Sequence, residues 1–164
     1  MKKLLALLLL IPVLTHADTL YITVPGEAFS VKLDTPALTR TQGQAEGRRF
    51  KYMASGGGSG ITLSLFSETV GGGGNEECRS TYWKKTQDAP IQFSDVKLYG
   101  NDVALFVSSL QEATIQGNKM KAADGHAYFA RNGLCMDLHV SHYPYQPGSE
   151  KRVEAVLNSL TLIP

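Results

Sequence analysis

The chain is poor in the features that would assign a chemistry from sequence alone. Its 164 residues contain only two cysteines, one tryptophan and four histidines. No Gly-x-Ser-x-Gly elbow, no Cys-x-x-Cys pair and no Gly-Lys-Ser/Thr ending of a phosphate loop occurs. Serine-hydrolase, thiol-redox and nucleotide-binding functions therefore have no motif to support them, and no cofactor is expected.

A large excess of one charge is missing as well. Lys2 and Lys3 are the only charged residues among the first 17, so the rest of the chain holds 14 basic and 15 acidic side chains. Nucleic acid would require a basic patch to displace phosphate counterions, and an anionic lipid surface would require a similar one. The balance of charge argues against both partners.

Long apolar runs are confined to the N-terminus, where residues 4–13 follow Lys2 and Lys3. A run of about ten residues is too short to span ~30 Å of hydrocarbon, so a secretion signal is favoured over a membrane helix. Thr15 and Ala17 supply small residues at positions −3 and −1 of a cleavage site. We predict a cleaved signal peptide at 1–17, a single domain at 18–164 without a membrane segment, and a bacterial periplasmic or secreted location.

The two cysteines, Cys78 and Cys135, are 57 positions apart. A pair of cysteines in an exported chain is most simply explained as one disulfide, although free thiols and metal ligands are alternatives. Closing a loop of this length stabilises a fold by ~4 kcal/mol in the chain-entropy description. The bond is expected to join the middle of the chain to its last long strand.

Alternation of apolar and polar residues predicts strands along much of the chain. These segments are 20–24, 29–33, 48–54, 61–70, 92–99, 103–109, 126–130 and 134–140. Asn132-Gly133 predicts a tight hairpin between the last two, because a type I′ turn requires positive φ at both central residues. The stretches 35–47 and 111–124 lack periodicity and are expected to be loops, as are the glycines at 56–60 and 71–74.

Two helices are expected. Asn75 can cap a short helix that carries Cys78, and a C-terminal helix starting near Ser149 has an apolar stripe at Val153, Val156, Leu157 and Leu160. The fold class is therefore α+β: a largely antiparallel twisted sheet of about six to eight strands, with the C-terminal helix and the short middle helix packed on it, and one disulfide.

The final third of the chain resembles the PsbP/DcrB-like group of small exported α/β proteins. In that group a last strand ending in serine is followed by a loop and a closing helix. The matching residues are Leu138, Val140, Ser141, Val153, Leu157 and Leu160. The disulfide pair and the glycines at 71–74 depart from the group's pattern. The resemblance implies a non-enzymatic accessory or binding role, although a fold does not fix a function.

The densest polar pattern is Asp137, His139 and Ser141, which period two places on one strand face with Cys135. An Asp-x-His pair can bind zinc or perform acid–base chemistry, particularly if His126 joins it across the hairpin. The alternative is a solvated face partly shaded by the helix that carries Cys78.

Large amphipathic residues suggest a surface for a partner. They are Tyr82, Trp83, Tyr143 and Tyr145, and such residues are enriched at protein interfaces but also cap sheet edges. We therefore expect an exported protein that binds another protein in the cell envelope, as an accessory subunit or a toxin-neutralising immunity protein. The alternative is a small metal-binding protein or hydrolase that uses Asp137 and His139.

Overall fold

Most of this chain forms β-strands, in which apolar and polar side chains alternate and which pair antiparallel. The computed structural model describes residues 17–69 and 73–164, in which ten strands and two helices form. In chain order they are β1 (Ala17–Thr23), β2 (Ser30–Pro36), β3 (Arg40–Glu46), β4 (Arg49–Ser55), β5 (Ile61–Thr69), α1 (Asn75–Gln87), β6 (Gln92–Gly100), β7 (Leu105–Ile115), β8 (Asn118–Arg131), β9 (Leu134–His142), α2 (Ser149–Asn158) and β10 (Thr161–Ile163). Apart from Ala17, the predicted signal peptide lies outside the described residues, as do Gly71 and Gly72.

Seven strands form one sheet in the order β3-β4-β5-β9-β8-β7-β6, and every neighbouring pair is antiparallel. The central strand, β9, has the period-two burial of a strand between two different environments. Met136 and Leu138 are fully buried on what we call the inner face. Asp137 and His139 lie on the opposite, outer face.

The inner face is covered by α2 and by a second sheet, in the order β1-β2-β10. Val31 of β2 belongs to the same buried core as the inner-face residues of β9. A Cβ atom at Gly125 of β8 would lie 2.5 Å from Leu157 Cδ1 and 2.8 Å from Val153 Cγ1. Only a residue without a side chain lets α2 approach the sheet this closely.

Helix α1 lies on the outer face and is fastened there at its first turn. The disulfide Cys78–Cys135 joins it to β9. The Asn75 side chain adds two hydrogen bonds: its Oδ1 accepts from the Ala130 backbone N–H at 2.8 Å, and its Nδ2 donates to the Val103 carbonyl at 3.1 Å. None of the described helices is long and apolar enough to cross a membrane.

The structure confirms the antiparallel arrangement, both helices and the disulfide. The predicted turn at Asn132-Gly133 joins β8 to β9, and both residues have positive φ, 52° and 74°. After α2 the chain contributes β10, which pairs with β2.

Several sequence expectations were wrong. The stretch 35–47 contains β3, whose residues are all exposed because it is an edge strand, so no apolar alternation marks it. The stretch 111–124 is the continuation of β7 and β8 around a turn at Gln116-Gly117, where φ is 51° and 81°.

The expected helix cap and the expected single sheet were also wrong. Asn75 is the first helical residue and Gly74 occupies the N-cap. The expected single sheet is a seven-stranded sheet with a separate three-stranded one.

Candidate functional site

Helix α1 covers only part of the outer face. Tyr82 is buried against the sheet, where it meets Phe66 edge-on and stacks on Tyr128. Trp83 lies edge-on to His126, with ring centroids 6.2 Å apart. Helix α1 therefore covers the outer face as far as His126, and His139 lies next to the end of the covered part.

Beyond α1 the outer face holds two adjoining hollows. One, of about 510 Å³, lies over β3, β4 and β5, and the other, of about 300 Å³, lies mainly over β7, β8 and β9. Thr62 and His139 line both, so the two hollows form one depression, which we call the open groove. Met53 borders the first hollow and is 48% exposed, and Tyr143 borders the second and is 44% exposed.

Two histidine–aspartate pairs cross beneath the groove. The register of β8 and β9 places His126 directly opposite His139, and each ring reaches diagonally to an aspartate on the other strand. His126 Nδ1 lies 2.8 Å from Asp137 Oδ1, and His139 Nε2 lies 2.5 Å from Asp124 Oδ1. The two rings stack with centroids 4.5 Å apart and 12° between their planes. We call these four residues the histidine–aspartate cluster.

The cluster is mostly buried, and His139 is its exposed member. The His139 side chain keeps 34% of its accessible surface, whereas that of Asp124 keeps 2%. Burial alone would lower the pKa of His139, but the hydrogen bond and charge of Asp124, with the charge of Asp137, raise the pKa above its ordinary value. A protonated His139 compensates the buried Asp124 carboxylate, which would otherwise be costly.

Two buried polar atoms of the cluster are left without a partner. Asp124 Oδ2 and His126 Nε2 make no hydrogen bond to any described residue. Most buried polar atoms in folded proteins are paired with protein or with water. The cluster thus retains hydrogen-bonding capacity that the described part of the chain does not use.

The predicted metal ligands Asp137, His139 and His126 do lie together, but in ion pairs. Among the described residues no group of three or more histidine, cysteine, aspartate or glutamate side chains is arranged to hold a metal ion. The stacked rings each direct a nitrogen at a different carboxylate, so their donor atoms do not converge on one point.

Sequence reasoning missed Asp124, because it falls in a polar stretch that was expected to be a loop. A signal was nevertheless present. The chain contains Asp-x-His twice, at Asp124 and Asp137, on either side of the Asn-Gly turn. Two such motifs on paired strands bring each histidine into diagonal reach of the other strand's aspartate.

The four aromatic residues predicted to bind a partner fall in two places. Tyr82 and Trp83 form the contact between α1 and the sheet, and Tyr82 is only 5% exposed. Tyr145 is partly buried and donates its hydroxyl to Glu150 Oε1 at 2.8 Å. Tyr143 is the one that borders the open groove. Their role in partner binding stays a prediction.

Comparisons with known proteins show similarity of fold. No family profile matches the chain, and no curated protein matches it significantly. The solved structure of LpqN, described as involved in cell envelope biogenesis of Mycobacterium tuberculosis, is similar at 10% identity with a TM-score of 0.50, over 91% of this chain and 92% of LpqN. A Bacteroides thetaiotaomicron protein is similar at 10% identity with a TM-score of 0.49, and the match spans 82% of this chain but only 45% of that protein.

At 10% identity the likeness to LpqN shows the fold and not the function. The resemblance to the PsbP/DcrB-like group stays a prediction.

Proposed function

We propose that the protein is an exported, non-enzymatic protein of the cell envelope that binds another protein through the open groove. The observation that carries the proposal is the half-covered outer face. Helix α1 buries one part of it, while Met53 and Tyr143 remain nearly half exposed on either side of the uncovered part. Exposed large apolar side chains around a concavity are typical of interaction sites.

The lining of the groove supports a protein as the partner. Its floor carries the hydroxyls of Thr62, Ser64 and Ser141 beside apolar side chains such as Ile91 and Met120. Protein–protein interfaces combine apolar contact with hydrogen bonds in this way, and methionine and tyrosine are enriched in them.

The location in the envelope has independent support. The Cys78–Cys135 disulfide is expected to persist in an oxidising compartment, and the predicted signal peptide would direct the chain to one. LpqN, which has a similar fold, is described as involved in cell envelope biogenesis, and this supports the same compartment for the protein. An accessory subunit and an immunity protein are the two roles that we propose for such a chain.

Site-specific crosslinking in the producing cell tests the proposal. A photoreactive residue is placed at Met53 or Tyr143, and for comparison at Tyr21, which is 57% exposed on β1 of the other sheet. We expect one discrete crosslinked protein from the two groove positions and none from Tyr21. Absence of a groove-specific product, or the same product from Tyr21, contradicts the proposal. A captured envelope assembly would indicate an accessory subunit, and a captured toxin an immunity protein.

A second candidate, a small hydrolase, is favoured by one observation. The buried Asp124 carboxylate orients His139 at the floor of the groove, which is the relation between a general base and its orienting residue. Ser64 lies directly opposite His139 in the register of β5 and β9, but no hydrogen bond joins them among the described residues. Equal loss of an ester- or peptide-hydrolysing activity in His139→Ala and Ser64→Ala would support this candidate. An activity unchanged in both would exclude the two residues from it.

A further inference from the structure

The β3–β4 side of the open groove carries more positive than negative charge: Arg40, Arg49 and Lys51 share one face with a single acid, Glu46. Arg40 lines the hollow of about 510 Å³, and neither Arg40 nor Lys51 forms an ion pair with a described residue. Lys51 is two residues from Met53 on β4 and therefore projects to the same face. Both cations are exposed.

Two carboxylates near this region are engaged, and a third, Glu46, lies opposite Arg49 at the far end of β3 from Arg40. Asp124 is buried and pairs with His139, and Glu68 pairs with Lys85 of α1 at 3.3 Å. The residues that line this hollow include no acidic side chain. The rest of the chain after residue 17 has slightly more acids than bases, so the local excess of cations does not follow from composition.

The spacing of the cations fits an extended peptide. Arg40 pairs with Ser55, so the two cations lie at the levels of Ser55 and Lys51 along β4, with Met53 midway between them. Four residues of extended chain span ~14 Å, and side chains at i, i+2 and i+4 share one face. A strand-like segment with acids at i and i+4 and an apolar residue at i+2 therefore matches Lys51, Met53 and Arg40 in order.

We infer that the partner presents an acidic extended segment, which lies on the β3–β4 side of the groove with its carboxylates at Arg40 and Lys51 and an apolar side chain on Met53. This inference rests on the proposed function and names the chemistry of the partner. Complementary charge of this kind speeds association and selects among partners more than it adds affinity.

NMR titration of the isotopically labelled protein tests the inference. Three probes are used: a nine-residue peptide with glutamates at i and i+4 around a leucine, the same peptide with lysines for the glutamates, and a single-stranded oligonucleotide of similar length. We expect the acidic peptide alone to shift the amide signals of β3, β4 and β5. No shift there, an equal shift with the basic peptide, or stronger binding of the oligonucleotide overturns the inference.

Charge reversal supplies the matched comparison. Arg40→Glu with Lys51→Glu should weaken binding of the acidic peptide by about tenfold or more at low salt, where screening is weak. Lys151→Glu is a control on α2, against the inner face, where the residue is exposed and forms no ion pair with a described residue. A similar loss in Lys151→Glu would overturn the inference.

The same variants separate this inference from the proposed function. If the double charge reversal leaves the product crosslinked at Met53 and Tyr143 unchanged, the acidic segment is excluded while the protein partner remains. If wild-type protein gives no groove-specific crosslink, the proposed function itself fails.

Discussion

The imidazole rings of His126 and His139 stack with their centroids 4.5 Å apart, yet the two residues have different surroundings. The side chain of His126 is 7% exposed beneath Trp83, whereas that of His139 is 34% exposed at the groove. Each ring has its own aspartate on the opposite strand. Protonation of the exposed ring is therefore coupled to the pairing of β8 with β9.

The first prediction concerns Asp124→Asn. Asp124 raises the pKa of His139, so protonation of His139 stabilises the folded protein. This stabilisation is fully present below pH ~6.5, the ordinary histidine pKa, and is lost as the pH rises through the pKa of the folded state. The variant should be less stable than wild type at pH ~5.5, and the part of this difference linked to His139 should shrink as the pH rises through the folded pKa. NMR titration of His139 should show a lower pKa in the variant.

Asp18→Asn is the matched control, because Asp18 is exposed and its side chain forms no ion pair with a described residue. Urea denaturation at several pH values measures both variants. A pH profile of Asp124→Asn that runs parallel to wild type would show that the pair does not carry the linkage.

The second prediction concerns the disulfide. Replacing Cys78 and Cys135 together with alanine should lower the free energy of unfolding by roughly 3–4 kcal/mol, because the unfolded chain regains the freedom of a long closed loop. Both cysteines are fully buried, so a reductant reaches the bond only when the protein unfolds. It should then destabilise wild type and leave the double variant, which has no disulfide, unchanged. Urea denaturation with and without the reductant measures this, and equal sensitivity of the two proteins would contradict it.

The third prediction concerns the contact between α2 and β8. Gly125→Ala should destabilise the protein by about 1–3 kcal/mol, because the new methyl group overlaps Leu157 and Val153 and forces the helix outward. Gly58→Ala is the control, since nothing lies within 4 Å of a Cβ there and the effect should stay within about 0.5 kcal/mol. Thermal and urea denaturation compare the two, and similar stabilities would exclude a tight α2–β8 contact.

The fourth prediction concerns the attachment of α1. Asn75→Ala removes the hydrogen bonds to the partly buried backbone groups of Ala130 and Val103, which should cost about 1–3 kcal/mol for the two together. Asn158→Ala, at an exposed position on α2, should change the stability by less than about 0.5 kcal/mol. Trp83 fluorescence follows unfolding in both variants. Equal midpoints would show that the disulfide and the aromatic contacts hold the helix without Asn75.

The sequence predicts those parts of the fold in which local pattern and tertiary environment agree. β5 and β9 alternate apolar and polar side chains because one side of each faces the core, and their period two is visible without a structure. Asn132-Gly133 locates the β8–β9 turn, because few other residue pairs tolerate positive φ at both positions. The presence of two cysteines in a chain that is predicted to be exported is enough to predict the disulfide.

The parts of the fold that the sequence does not predict depend on contacts between residues that are far apart in the chain. β3 pairs with β4 at the sheet edge and buries none of its side chains, so nothing in residues 40–46 marks a strand. The pairing of His139 with Asp124 depends on the register of two strands, and a shift of one residue would turn Asp124 to the other face. The open groove depends on where α1 ends over the sheet, which no local pattern encodes.

The order of the strands has a consequence for when this chain can fold. β9 is the central strand of the large sheet, and β10 completes the small one, yet both belong to the last 31 residues. Nearly all of the chain must therefore be synthesised before either sheet can close, and pairings between such distant segments form slowly. For the exported protein that we propose, this delay would keep the chain unfolded until it has crossed the membrane.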